Sequence, residues 1–272
     1  MFSVSSEKCI GCSKCIKDCP ANDIFLKDGK AIIKNKNCFK CGHCIAICPV
    51  NAVSTDDYNM DEVKEYNEED FKIDSSKLLN FIKFRRSVRQ FKNKTVEKEK
   101  IEKIIEAGRF TQTAKNNQDV SYIVVTENLQ KLKELAYKSL KEKGDYLLKN
   151  LTPQTEHLKR YALMWSNMYE KYKLDPINND KLFFNAPVLI IVTSKNPLDG
   201  GLASSNMELM VNSLDLGTFF SGFFQVAAKD NKEILDFLKI KDTNIASCMV
   251  IGYPNVKYQR TIPRKEANIY WY

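Results

Sequence analysis

The spacing of apolar and polar positions changes near residue 74, and that change divides the chain. In the first stretch the apolar residues come in short clusters. Ile24-Phe25-Leu26 and Ala31-Ile32-Ile33 flank Asp28-Gly29, a pair that suits a hairpin turn. Residues 56–70, DDYNMDEVKEYNEED, carry few apolar side chains and predict a solvated connector. Beyond it, Asp74-Ser75-Ser76 caps a short amphipathic helix carrying Leu78, Leu79 and Ile82, and Thr95 precedes a second with Ile101, Ile104 and Ile105, stopping near Gly108. The pattern then predicts strands over 121–126, 188–193, 218–224 and 246–252, and helices over 128–143, 157–173, 202–216 and 232–240. Helices alternating with strands imply an α+β or α/β layer fold around one central sheet.

Composition narrows this picture without overturning it. The 272 residues suffice for a small and a medium domain, and 43% hydrophobic with 28% charged residues excludes global disorder. The longest apolar run, Ala186 to Val192, is seven residues, against roughly 20 for a membrane helix. The start, MFSVSSEKC, lacks a secretory pattern. The expectation is a soluble, cytoplasmic protein with no membrane partner. Net charge is +8, but residues 56–70 alone carry −7, and Lys outnumbers Arg 35 to 7. The lysines are scattered among glutamates, which argues against a nucleic-acid partner. No G-x-G-x-x-G and no P-loop occurs, so any redox cofactor is held by other means.

Eight of nine cysteines form one repeated pattern. Cys9, Cys12, Cys15 and Cys19 are followed by Pro20, and Cys38, Cys41, Cys44 and Cys48 by Pro49, 29 residues later. C-x2-C-x2-C wraps three thiolates around a cubane, and the fourth cysteine, three residues on, points to the other cluster. This assigns Cys9, Cys12, Cys15 and Cys48 to one 4Fe–4S cluster, and Cys38, Cys41, Cys44 and Cys19 to a second. Structural zinc also uses C-x2-C pairs, yet gives no reason for the third and fourth cysteines or the proline. His43, inside the second run, reads as a surface or cluster-flanking residue and not a ligand, and Cys248 reads as a buried core residue. Residues 1–56 resemble bacterial two-cluster ferredoxins.

In a chain that uses Lys for almost every positive charge, the arginines act as a filter. Arg85, Arg86 and Arg89 lie in RRSVRQF, and Arg260 and Arg264 in YQRTIPRKE. A planar guanidinium grips two oxygens at once, which Lys does less well. With Ser87 as a further donor, these residues suggest a phosphate pocket. Helix-end electrostatics would be served as well by Lys, while a solvated basic tail is the competing reading for Arg260.

RRSVRQF, TAKNNQ at 113–118, NAPVLIIVTS at 185–194, LDLGTFFSGF at 214–223, and IGYP at 251–254 followed by IPRK resemble the nitroreductase family of FMN-dependent oxidoreductases. The resemblance spans about residues 75–272, and the whole resembles ferredoxin–nitroreductase fusions of anaerobic bacteria. With the charge pattern of the connector, the two resemblances divide the chain into a two-cluster ferredoxin domain (1–56), an acidic linker (57–73) and an FMN domain (74–272). The fold class the nitroreductase resemblance implies is α+β, with a mainly antiparallel central sheet flanked by helices. It implies that Arg85 and Ser87 hold the FMN phosphate and ribityl chain, that Arg89 lies near N1 and O2 of the ring, that Arg86 lines the site, and that Arg264 completes the phosphate site. Thr113, Ala114, Asn116 and Gln118 would reach the flavin of a second subunit in a homodimer, and Gly222, beside Ser221, would place an N–H near N5 or O4. Gln112, Ala114, Asp119-Val120 and Ser221 depart from the family pattern, where Pro, Ser, Pro-Trp and, in some members, Glu stand.

The resulting expectation is an FMN oxidoreductase with an iron–sulfur relay, its reactive centre the flavin N5 and no catalytic side chain. The donor is NAD(P)H or a soluble ferredoxin, and the acceptor a nitroaromatic, quinone or similar small molecule. The rival keeps both cofactors but makes the chain an electron-transfer module between ferredoxin and a partner enzyme.

Overall fold

The computed structural model describes residues 1–272. Two compact units emerge: Met1–Asp74 with Thr113–Gln118, and Ser75–Gln112 with Asp119–Tyr272.

The first unit contains β1 (Phe2–Val4), α1 (Lys14–Lys17), β2 (Ile24–Lys27), β3 (Lys30–Ile33), α2 (His43–Ala46), β4 (Val53–Thr55) and α3 (Glu68–Phe71). β1 pairs antiparallel with β4 and β2 with β3. The hairpin turns on Asp28 and Gly29, whose φ of 50° and 74° match the twist that a two-residue turn needs. Gly11, at φ +69°, passes so close to this turn that a Cβ would lie 2.2 Å from the Gly29 carbonyl oxygen. α1 and α2 are single turns 29 residues apart, one per cysteine run, and Cys9, Cys15, Ile24, Ala31 and Ala52 make the small core. The acidic segment is not featureless. Asn59 and Asn67 cap a 3-10 turn at Met60–Glu62 and α3 by accepting from backbone N–H groups.

The second unit contains α4 (Ser75–Phe84), α5 (Lys98–Arg109), β5 (Ser121–Val125), α6 (Leu129–Lys149), α7 (Lys159–Leu174), β6 (Val188–Ser194), α8 (Pro197–Ser213), β7 (Gly217–Phe220), α9 (Gly222–Ala228), α10 (Lys232–Phe237) and β8 (Asn244–Gly252). The sheet order is β5-β6-β8-β7 and every pair is antiparallel, the α+β architecture expected. β6 is buried at all seven positions because helices cover both sheet faces. Leu189 and Ile191, with Cys248 and Val250 of β8, pack on Leu132, Ala136 and Leu140 of α6 and Phe224 and Ala227 of α9. The alternate residues Val188, Ile190, Val192, Met249 and Ile251 pack on Ile101 and Ile104 of α5 and Met207 and Val211 of α8. This is the period-2 alternation of a strand. No helix is long and apolar enough to cross a membrane.

Two boundaries differ from the sequence pattern for a physical reason. The strand expected over 218–224 ends at Phe220, and its apolar tail turns into α9; a short apolar run does not by itself distinguish strand from buried helix. α8 begins at Pro197, five residues before the predicted start, because Asn196 caps it by accepting from the Leu198 N–H and proline suits the first turn.

Candidate cofactor sites

The eight repeated cysteines line two cavities of the first unit. Cys9, Cys12, Cys15 and Cys48 line one, and Cys19, Cys38, Cys41 and Cys44 the other. Each set of four thiols shares one cavity, and neither set converges on a point suited to a single ion. Main-chain donors face the sulfurs: Ala31 N–H to Cys9 Sγ at 3.4 Å, Asp23 to Cys19 at 3.5 Å, Lys40 to Cys38 at 3.4 Å and Ala52 to Cys48 at 3.2 Å. The Cys19 and Cys48 bonds are the same contact in the two repeats, each from the residue four positions on.

Local fields differ between thiols. Backbone donors at Ala31 and Gly11, then Lys30, hold the Cys9 thiol below its ordinary value. Burial, then the neighbouring Cys38 and Cys41, pushes Cys44 up to about 11. Bound iron would offset such crowding of thiolates, as bound cations generally do. His43 is exposed and its Nδ1 lies 3.1 Å from Asp18 Oδ2.

In the second unit the RRSVRQF segment is laid along β7. Val88 N–H donates to the Thr218 carbonyl at 3.0 Å and Ser87 bridges Thr218 in parallel. Val88 is a buried peg against Gly217, where a Cβ would lie 2.7 Å from a Val88 methyl. Arg85, Arg86, Ser87, Arg89 and Arg264 come together around a cavity of about 520 Å³, joined by Glu208, Tyr258 and Ile262. That size lies within the range of small-molecule sites, roughly 300–1,000 Å³.

The guanidinium groups are not equivalent. Arg85 Nη1 pairs with the Glu208 carboxylate. Arg86 Nη1 donates to the Lys83 carbonyl at 3.0 Å and to the Arg85 carbonyl. Its Nε and Nη2, together with Arg85 Nε, are buried without a partner. Nε and Nη2 share one edge of the guanidinium, the edge that grips two oxygens side-on. Buried orphan donors are rare, because each costs about 1–3 kcal/mol. All three belong to residues that line the cavity, and unpaired guanidinium N–H groups beside it suit an anion such as the phosphate of FMN. Arg89 lies over the Phe219 ring at 5.3 Å.

The other expected flavin contacts, Arg260 among them, do not line this cavity. Ser221 is buried and its hydroxyl donates to the Leu182 carbonyl at 3.1 Å, while Gly222 begins α9 beside open space. Thr113, Ala114, Asn116 and Gln118 group with the first unit. Glu208 escaped the sequence reading, since a lone carboxylate on a helix gives no signal of the arginine it meets.

A 4Fe–4S dicluster domain model matches residues 8–53, and the nitroreductase family model matches residues 82–253. A nitroreductase with bound FMN from Bacteroides fragilis is similar in structure at 19% identity and a TM-score of 0.52, covering 71% of this chain and 97% of its own. A BluB-like flavoprotein from Clostridium difficile 630 gives 21%, 0.52, 70% and 94%. A nitroreductase with bound FMN from Desulfitobacterium hafniense DCB-2 gives 20%, 0.51, 71% and 96%. No curated protein matches the chain. Fold, pocket and family model define a flavin-dependent oxidoreductase joined to an iron–sulfur domain. The chain belongs to the nitroreductase family.

Proposed function

We propose that the chain holds FMN in the arginine-lined cavity and two 4Fe–4S clusters in the thiol-lined ones, and that it reduces a nitroaromatic, quinone or similar small acceptor. Bound FMN supplies hydride-level chemistry at N5, and the clusters supply one-electron storage. Arg86 presents its free edge to the phosphate, with Arg85 Nε, Ser87 and Arg264 beside it. Arg85 is held by Glu208, which fixes its direction. Arg89 offers positive charge where reduction builds negative charge on the ring. Solvent supplies protons, and no side chain acts as acid or base.

The observation that carries this reading is the set of buried, unpartnered guanidinium N–H groups in a chain that also frames two four-thiol cavities. A homodimer is part of the proposal. α4 buries none of its residues and leaves Leu78, Leu79, Ile82 and Phe84 exposed, an apolar stripe that a second subunit would cover. Protein purified without oxygen should contain about eight iron atoms and one FMN per chain, and should turn over a nitroaromatic or quinone with NADH, NADPH or reduced ferredoxin. A preparation that takes up no flavin would falsify the proposal. Stoichiometric reduction without turnover would leave an electron-transfer module instead.

A further inference from the structure

The segment Thr113–Gln118 lies against the loop between Cys38 and Cys41. Asn116 Nδ2 donates to the carbonyl of Phe39 at 3.2 Å and of Lys40 at 2.9 Å, and Gln118 Nε2 donates to the Tyr58 hydroxyl at 2.8 Å. The Phe39 carbonyl belongs to the same peptide group as the Lys40 N–H, and that N–H donates to Cys38 Sγ at 3.4 Å. Asn116, one peptide plane and the Cys38 sulfur therefore form a continuous hydrogen-bond chain. The Asn116 side chain places both of its bonds on the loop of the second of the two repeated runs.

Hydrogen bonds in series polarise one another. A donor on the Phe39 carbonyl makes the Lys40 N–H a better donor to sulfur. Reducing a cluster adds one electron and so places more negative charge on its sulfurs, and donors to those sulfurs raise the reduction potential. We propose that Asn116 is a positioning residue that tunes one cluster only, that of Cys19, Cys38, Cys41 and Cys44, by orienting and polarising the Phe39–Lys40 peptide. This rests on the two-cluster reading above and adds to it an asymmetry between the repeats. The segment that resembles a flavin-contacting one is thereby tied to the second cluster.

The test is an anaerobic redox titration of the full chain followed by electron paramagnetic resonance. Asn116→Ala and the near-isosteric Asn116→Asp, which cannot donate, should each lower one cluster midpoint, leave the other in place and leave iron content unchanged. Gln118→Ala breaks the Tyr58 contact but keeps the peptide chain of bonds, and should move neither midpoint. The proposal is overturned if Asn116→Asp moves no midpoint, moves both together, or matches Gln118→Ala. Flavin content reports separately: a chain without FMN sinks the proposed function while the cluster titration still reads Asn116.

Discussion

Replacing Arg86 with leucine should weaken FMN binding about a hundredfold and leave the apoprotein close to its original stability, and the two halves of that expectation come from different atoms of one side chain. Arg86 Nη1 bonds two backbone carbonyls, worth about 1 kcal/mol each net. Its Nε and Nη2 are buried and orphaned, a burden of about 1–3 kcal/mol each that leucine removes. These terms oppose one another, so the apoprotein should change by no more than about 1–2 kcal/mol. With the FMN phosphate present the orphaned edge would make two charge-assisted bonds of about 1.5–3 kcal/mol each. Losing about 3 kcal/mol, at 1.4 kcal/mol per tenfold, gives the hundredfold. Arg86→Lys keeps the charge but lacks the paired edge, and should fall between. Flavin fluorescence quenching measures affinity, and thermal unfolding with and without FMN separates the two halves. Arg109→Leu serves as control, because Arg109 pairs with Glu106 outside the cavity. Unchanged affinity in Arg86→Leu, or equal melting losses with and without FMN, would refute the reasoning.

Further expectations rest on other contacts. Gly217→Ala would drive a methyl to 2.7 Å from Val88; a loss of about 1–3 kcal/mol is expected, with weaker FMN binding because the arginine segment hangs on this peg, and a chemical denaturation curve matching the parent would sink it. Burial pushes Tyr172 up to about 12 from about 10. Its folded value is raised, so its contribution to stability is complete below pH 10 and is lost as pH rises toward 12. Tyr172→Phe should therefore unfold less steeply over that window, read as urea midpoints at pH 8, 10 and 11.5; equal slopes count against it. Cys248 is fully buried in β8, so Cys248→Ser should lose about 1–3 kcal/mol by leaving a hydroxyl unpartnered while iron content stays the same. Loss of iron in that variant would overturn its reading as a core residue.

Legibility in the sequence followed the range of the interactions concerned. Cysteine spacing is a local property, and the 29-residue repeat led directly to the thiol sets that share the two cavities. The buried strand Val188–Ser194 announced itself as an apolar run because both of its faces are covered. The arginine segment was visible through composition, since rare guanidinium groups stand out in a lysine-rich chain. What stayed hidden depends on partners distant in sequence. Nothing near Glu208 indicates that it engages Arg85, 123 positions away, and that pairing decides which arginine has its edge free. The turn of Phe223 and Phe224 into α9 escaped because apolar residues satisfy a buried helix and a buried strand equally.

The segment 113–118 shows how the fusion shapes its own backbone. Lys115, Asn116 and Gln118 adopt φ of 52°, 55° and 50°. Each non-glycine residue in that left-handed region costs roughly 1–2 kcal/mol, somewhat less for asparagine, so the segment carries on the order of 3–5 kcal/mol of strain. Its internal bonds, Gln118 N–H to Thr113 Oγ1 at 2.9 Å, Asn116 N–H to the Thr113 carbonyl at 2.9 Å and Asn117 N–H to the Ala114 carbonyl at 3.1 Å, offset about 3 kcal/mol. The three side-chain bonds to Phe39, Lys40 and Tyr58 offset about 3 kcal/mol more. Local bonds match only the lower end of that strain, and the bonds to the cysteine loop and to Tyr58 cover the rest. The TAKNNQ segment is thus held by its own turn bonds and by its contacts with the second cysteine run together.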